Sequence, residues 1–433
     1  MEQKLIDFIY DSPTSYHATS NIVKRLEKIG YTELKEKDKW EIKKLGKYYV
    51  KKNDSAIIAF QIGNGDIEEE GFRIIGAHTD SPSFRIKPSS EIIVENKYVK
   101  LNTEGYGGAI LNTWFDRPLA LAGRVVIRGK TFTEPITRLI NVNRPILVIP
   151  NLAIHMNRNI NEGVSINKQR DTLPILGFVN QNLEKNNYLL SIIAGELNID
   201  KEDILDFDLF LYEYEKGCLC GANNEFISSS RLDDLWMVYA GLEAILEEKE
   251  STFSKMLICT DNEEIGSYTA QGAESNFVEE VLERIIISLK LNKEDYYRAL
   301  SKTIMISSDL AHAIHPNYTD KHDLTNRPLL GEGPVLKLTA SGSYATEGVS
   351  ASIFKELCQS NNIPYQIFVN RSDMRGGSTI GPMMATKFGI KVIDMGNAIL
   401  GMHSIRELGA VVDNKLIIDL FRAFFSWFLS NKK

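Results

Sequence analysis

Cysteine is scarce in this chain: Cys218, Cys220, Cys259 and Cys358 are the only four thiols in 433 residues. So few thiols exclude a disulfide framework and fit a reducing compartment. Cys218-Leu219-Cys220 could be half of a thiolate metal site, but no second cysteine pair completes the four ligands. The bland reading, two incidental thiols near a turn at Gly217 and Gly221, is preferred, and Cys259 belongs to a core strand. Long apolar runs are also missing. The most apolar late segment, Leu416 to Leu429, contains Asp419 and Arg422 and is too short to span a bilayer. Met1-Glu2-Gln3-Lys4-Leu5-Ile6-Asp7 lacks the basic-then-apolar layout of a signal peptide. No basic domain or stripe stands out, and the formal charge of -7 argues against nucleic acid as the main partner. Repeats and low-complexity tracts are absent too. The expectation is a cytoplasmic protein with no nucleic-acid and no membrane partner.

What remains is ordinary globular composition, 43% hydrophobic and 25% charged, in a chain long enough for two domains. Two helices open it, broken around Ser12-Pro13, with Thr14 as an N-cap and Ile22, Val23, Leu26 and Ile29 as an apolar face. Strand-like runs follow at Tyr48 to Lys51, Ala56 to Ile62 and Phe72 to Gly76. After Pro82 and Pro88 the texture changes to short β-like segments with Gly-rich turns, such as Tyr98 to Leu101, Gly123 to Ile127 and Pro145 to Ile149. Asn180 to Asn187 and Lys201 to Asp206 are expected to be polar connections. From Arg231 onward strands and helices alternate again. Helices are expected at Leu235 to Glu248, Phe277 to Leu289, Ser350 to Gln359, near Ile380 to Phe388, and at Lys415 to Leu429. Strands are expected at Met256 to Cys259, Thr303 to Ser307, Val335 to Thr339, Gln366 to Val369 and Lys391 to Met395. The pattern predicts an α/β domain (residues 1–90 and 230–433) interrupted by an inserted β-rich domain (residues 91–229).

Chemistry-bearing residues gather at the ends of these strands, where open α/β sheets build their sites. Gly76-Ala77-His78-Thr79-Asp80 ends one apolar run, and Asp261-Asn262-Glu263-Glu264-Ile265-Gly266-Ser267 follows another. His78 with Asp80 two residues on has the spacing of a metal ligand and a carboxylate that orients it. Adjacent acids are common on solvated surfaces. Placed after a buried strand, the Glu263-Glu264 pair instead points to divided labour, one carboxylate on metal and its neighbour as general base. Asp233 stands where the inserted domain returns, Asp309 follows Ile304 to Ser308, and His403 follows Val392 to Gly396 by a short loop. Two imidazoles and three carboxylates could hold two divalent ions, one acid bridging them. Such a pair clamps a nucleophile and polarises a carbonyl oxygen. Mixed N/O ligation without thiolate suits zinc, with cobalt or manganese as alternatives. His17 is expected to be an ordinary helix residue. His312, His315 and His322 are expected to line the site or to make hydrogen bonds.

With these residues in place, the chain closely resembles the M18 family of metallo-aminopeptidases, which includes aspartyl aminopeptidases. The resemblance runs nearly end to end. It rests on Gly76 to Pro82, Trp114-Phe115-Asp116-Arg117, Leu152-Ala153-Ile154-His155, Arg231-Leu232-Asp233-Asp234, Asp261 to Ser267, Asp309 to Tyr318 and Gly401 to Glu407. It implies a zinc-peptidase-type α/β sandwich in which the inserted domain serves dimerisation, and dimers that build tetrahedral dodecamers enclosing the active sites. It further implies that Asp233 bridges two zinc ions, that His78 and Asp309 hold one, and that Glu264 and His403 hold the other. Glu263 would then be the general base, Asp80 the orienter of His78, and peptides the substrates. His155 would be lent to a neighbouring subunit's active site, against the alternative of a structural role within its own domain. Lys337, with Tyr344 nearby, would contact an acidic first side chain of the substrate. The alternative for Lys337 is to point to solvent from a half-exposed strand. Ser341-Gly342-Ser343-Tyr344 departs from the family pattern by lacking the Gln-Arg pair often found before this Tyr. A neutral, Leu-type preference is therefore the alternative to Asp or Glu. A related deacylase and a non-catalytic metal-stabilised scaffold are the competing classes. The scaffold is disfavoured because a structural metal site needs no base at position 263.

Overall fold

The computed structural model describes residues 1–179, 187–247 and 249–426. The connection expected over 180–187 therefore lies, apart from Asn187, outside the described residues, as do Glu248 and 427–429 of two expected helix ends.

Strands buried on both faces read as continuous apolar runs. Phe72–His78 and Ser254–Thr260 are buried at every position. With Ile304–Ser308 and Lys391–Gly396 they form the parallel centre of a nine-stranded sheet. Ala56–Gln61 flanks this centre antiparallel on one side and Val335–Leu338 on the other. The two-residue alternation of strand side chains sends Leu257 and Cys259 to one face and Met256 and Ile258 to the other. Helices Glu2–Tyr10, Ser15–Glu27, Leu232–Ile245, Gly348–Ser360 and Val411–Phe424 cover the first face. Phe277–Ser288, Lys293–Lys302 and Gly381–Phe388 cover the second. This is the expected α/β sandwich.

Its parallel strands end along one edge, with Thr260 beside His78 and Ser308 beside Met395. Residues just beyond those ends therefore meet in space although they are far apart in sequence. Gly396 permits the closeness: a Cβ there would lie 2.0 Å from the Asp309 carbonyl oxygen.

Between Phe72–His78 and Leu232–Ile245 the chain builds a six-stranded antiparallel sheet. Its spatial order is Ile136–Leu147, Leu119–Ile127, Ile204–Glu213, Ser83–Val94, Tyr98–Tyr106, Ile175–Phe178. Phe84, Leu101, Leu121 and Leu209 from this sheet share a core with Leu189 and Ile193 of helix Tyr188–Leu197. A smaller sheet pairs Phe226–Ser229 with Glu407–Ala410 and so joins the returning chain to the loop after Gly396. Helices Tyr188–Leu197 and Lys293–Lys302 were not anticipated from sequence. The expected connection over Lys201 to Asp206 is instead one helical turn, Lys201–Asp203, leading into strand Ile204–Glu213.

Candidate metal centre

His78 is the last residue of its strand, and its backbone N–H donates to Asp234 Oδ2 at 3.1 Å. Asp233 sits in the opening turn of Leu232–Ile245 with φ -79° and ψ 110°, outside helical geometry, and its side chain is buried. The two oxygens of Asp233 face different imidazoles. Oδ1 lies 3.5 Å from His78 Nε2 and Oδ2 lies 3.4 Å from His403 Nε2. His403 Nε2 is also 3.3 Å from Glu264 Oε1. Potential ligand atoms of His78, Asp233, Asp234 and Asp309 lie within 4.8 Å of one another, as do those of His78, Glu263 and Glu264, and those of Asp233, Glu264 and His403. The structure therefore brings together all the residues expected to ligate metal.

A hub below them is Asp80. Its carboxylate accepts from the Glu263 and Glu264 backbone N–H groups, both at 3.1 Å, and from the Tyr106 hydroxyl at 2.7 Å. His78 Nδ1 lies 3.1 Å from the Asp80 carbonyl oxygen and 3.4 Å from its Oδ1. The single helical turn Glu263–Ile265 follows Asn262, which holds φ 63°. Asparagine tolerates that left-handed conformation better than most residues. Gly107, at φ 71° just past strand Tyr98–Tyr106, lies over this turn: a Cβ there would sit 3.2 Å from Glu264 Cβ.

The electrostatics are lopsided. Burial pushes the Glu263 carboxyl up to about 8 and that of Glu264 to about 7, and it also raises Asp234 and Asp309. Against its own burial, the His403 and His78 imidazoles beside it hold Asp233 far below the ordinary carboxylate range. Those carboxylates in turn hold both imidazoles well above their ordinary range, His403 at about 11, against the effect of burial. Asp233 Oδ1, Asp234 Oδ1 and Glu264 Oε1 are buried and accept no hydrogen bond. Crowded carboxylates with orphaned oxygens and imidazoles aimed at the same points are a donor set that fits divalent cations.

Lys337 does not point to solvent. It is 2% exposed, with Nζ 3.5 Å from Asp309 Oδ2 and 5.5 Å from the centroid of the Tyr344 ring. Burial opposes its charge, but Asp309, Tyr344 and Asp394 together hold its pKa above the ordinary value. His155 stands on the exposed turn Ile154–Met156, apart from the cluster. Of the other histidines, His17 pairs with Thr14 Oγ1 at 2.9 Å, His312 lies against Phe368, and His315 against Tyr318. A cavity of about 400 Å³ runs from Tyr16 and Arg124 to Asp80, Asp233 and His403. Glu263, Glu264, Asp309, Lys337 and Tyr344 do not line it, so the cavity and the ligand cluster overlap only in part. Sequence reasoning gave no role to Tyr106, Asp234 or Glu407. The last two stand inside quoted motifs, but their contacts run through backbone amides, which leave no pattern in a sequence.

The sequence profile described as aminopeptidase I zinc metalloprotease (M18) matches residues 8–425. The "Probable M18 family aminopeptidase 2" of Clostridium novyi (strain NT) is 57% identical over 423 residues, covering 98% of each chain. The fold superposes on the protein in the cryo-EM structure of the Ape4 and Nbr1 complex with a TM-score of 0.93 and 37% identity, over 98% of this chain and 85% of that one. It superposes on the S. cerevisiae mApe1 dodecamer subunit with a TM-score of 0.85 and 29% identity, over 98% and 96%. The chain belongs to the M18 family of metallo-aminopeptidases, a family of hydrolases.

Proposed function

We propose that the chain is a two-ion aminopeptidase that removes N-terminal residues from peptides. The observation that carries this reading is Asp233, whose two oxygens face His78 and His403 separately. That is the disposition a bridging carboxylate needs. His78 and Asp309 would complete one site, and Glu264 and His403 the other. The family's description favours zinc, with cobalt or manganese as substitutes. Divalent ions held there would polarise the scissile carbonyl and lower the pKa of the attacking water. Glu263 would take the proton of the attacking water as its oxygen bonds to the carbonyl carbon. It then delivers the proton to the amine nitrogen as the C–N bond breaks. Asp80, held by Tyr106 and the Glu263 and Glu264 amides, fixes His78 and the turn that carries the base.

The inserted domain, residues 91–229, would carry the subunit contact and present His155 to a neighbour's site. Leu152, Ile154 and Met156 beside it are 55%, 49% and 70% exposed, an apolar surface suited to a second copy. Assembly as a homododecamer follows the yeast mApe1 relative. Four free thiols fit a cytoplasmic setting.

An acidic first side chain would meet Lys337 near Tyr344. A second reading, preference for a neutral first residue, is favoured by one contact: the Lys337 ammonium already faces Asp309. Release of free amino acid from a peptide panel tests both. Chelation should abolish release, and added zinc, cobalt or manganese should restore part of it; full activity in metal-free protein defeats the two-ion reading. Under the acidic reading, Asp- and Glu-initiated peptides turn over fastest, and Lys337→Met harms them far more than Leu or Ala peptides. Equal losses, or a wild-type preference for Leu, select the neutral reading.

A further inference from the structure

We propose that Glu407 is a positioning residue that sets the separation of Asp233 and His403, and through it the affinity for the ion between His403 and Glu264. The inference rests on the two-ion reading above. Glu407 Oε2 accepts from the Asp233 backbone N–H at 3.0 Å, and Oε1 accepts from the His403 N–H at 2.8 Å. One carboxylate thus ties together the amides of two candidate ligands whose side chains meet at 3.4 Å.

The clamp is itself anchored. Glu407 opens the strand Glu407–Ala410, pairs with Ser229 of the returning chain, and is 3% exposed. Its two partners need holding for different reasons. Asp233 departs from helical geometry inside a helix's first turn. His403 has φ 67°, a left-handed backbone that a residue with a side chain keeps only when its surroundings hold it. Only a carboxylate offers two acceptor oxygens at these positions. An amide of the same size would turn an N–H donor toward one of the two backbone donors. Burying a carboxylate beside that of Asp233 is unfavourable, so its presence calls for a task that glutamine cannot perform.

The test is Glu407→Gln in the full chain, read by zinc affinity in competition with a chromophoric chelator and by thermal unfolding of the metal-free protein. We expect two zinc ions per wild-type subunit. In the variant the weaker binding step should loosen about 10- to 100-fold, the range typical for groups that orient ligands. Metal-free unfolding should stay within a few degrees of wild type, a combination that a merely structural role would not produce. Unchanged affinity for both ions in a folded variant overturns the proposal. Wild-type protein that holds no zinc at all brings down the two-ion reading first. Should Glu407→Gln not fold, hydrogen exchange of the metal-free wild type decides: the N–H groups of Asp233 and His403 should exchange slowly, and rapid exchange of either overturns the clamp.

Discussion

Glu263 and Glu264 are adjacent, yet their surroundings separate them. Glu264 Oε1 lies against His403 and is buried without a hydrogen bond, as a group awaiting a cation would be. Glu263 shares a cluster with His78 but has no imidazole of its own in contact. Burial raises its carboxyl to about 8, with Asp309, Glu264 and Asp80 adding to the rise and His78 opposing it. A carboxylate beside the ligand cluster but not paired with an imidazole is placed to move a proton rather than to hold a cation. Glu263→Gln should therefore keep both metals while turnover falls by about 10²–10⁴. Elemental analysis alongside turnover checks this. Normal turnover in that variant, with both metals retained in Glu264→Gln, would mean that the two roles are reversed.

At the scale of single elements, helix Ser15–Glu27 makes a prediction about pH. His17 is held at about 4, because burial disfavours its charged form and Lys24 and Arg231 add repulsion. In the unfolded chain the same group titrates near its ordinary value of about 6.5. Between those values the unfolded state binds the extra proton, so His17's contribution to stability is whole above pH 6.5 and falls as pH drops toward 4. The loss is at most about 1.4 kcal/mol per pH unit. His17→Asn should flatten the pH dependence of urea midpoints over that window. An unchanged slope would show that His17 protonates freely in the folded protein.

Elements that bury alternating or continuous apolar faces were legible in the sequence: the strands ending at His78 and Thr260, and the helices beginning near Ser15 and Phe277. Two helices were not. Tyr188–Leu197 opens with an apolar run broken only by Ser191, so it carries little helical period to distinguish it from a strand. Lys293–Lys302 is strongly polar, and its signal is a capping box in which Asn292 accepts from Asp295 N–H and Asp295 accepts from Asn292 N–H. Strand ends located the candidate ligands because the parallel sheet brings those ends to one edge. Tyr106 and Glu407 escaped notice because one arrives from another sheet and the other acts on main-chain amides.

For the molecule as a whole, the reach of His155 into a second subunit is the decisive question. Mixing His155→Ala subunits with a metal-ligand variant such as Asp233→Asn should restore part of the activity that neither homo-oligomer has, since some sites would then combine intact ligands with an intact neighbour. Strict inactivity of every mixture would confine His155 to its own domain.

The strand Glu407–Ala410 is among the last elements of the chain to be made. Domains form as the chain leaves the ribosome, N-terminal parts first. His78, Asp233, Glu264 and Asp309 can all be in place while His403 and the strand that pairs with Phe226–Ser229 are still unmade. A chain broken off before residue 403 lacks both an imidazole and the sheet partner of Phe226–Ser229. Under the two-ion proposal, the hydrolytic centre of an unfinished copy stays incomplete until its own synthesis is almost done.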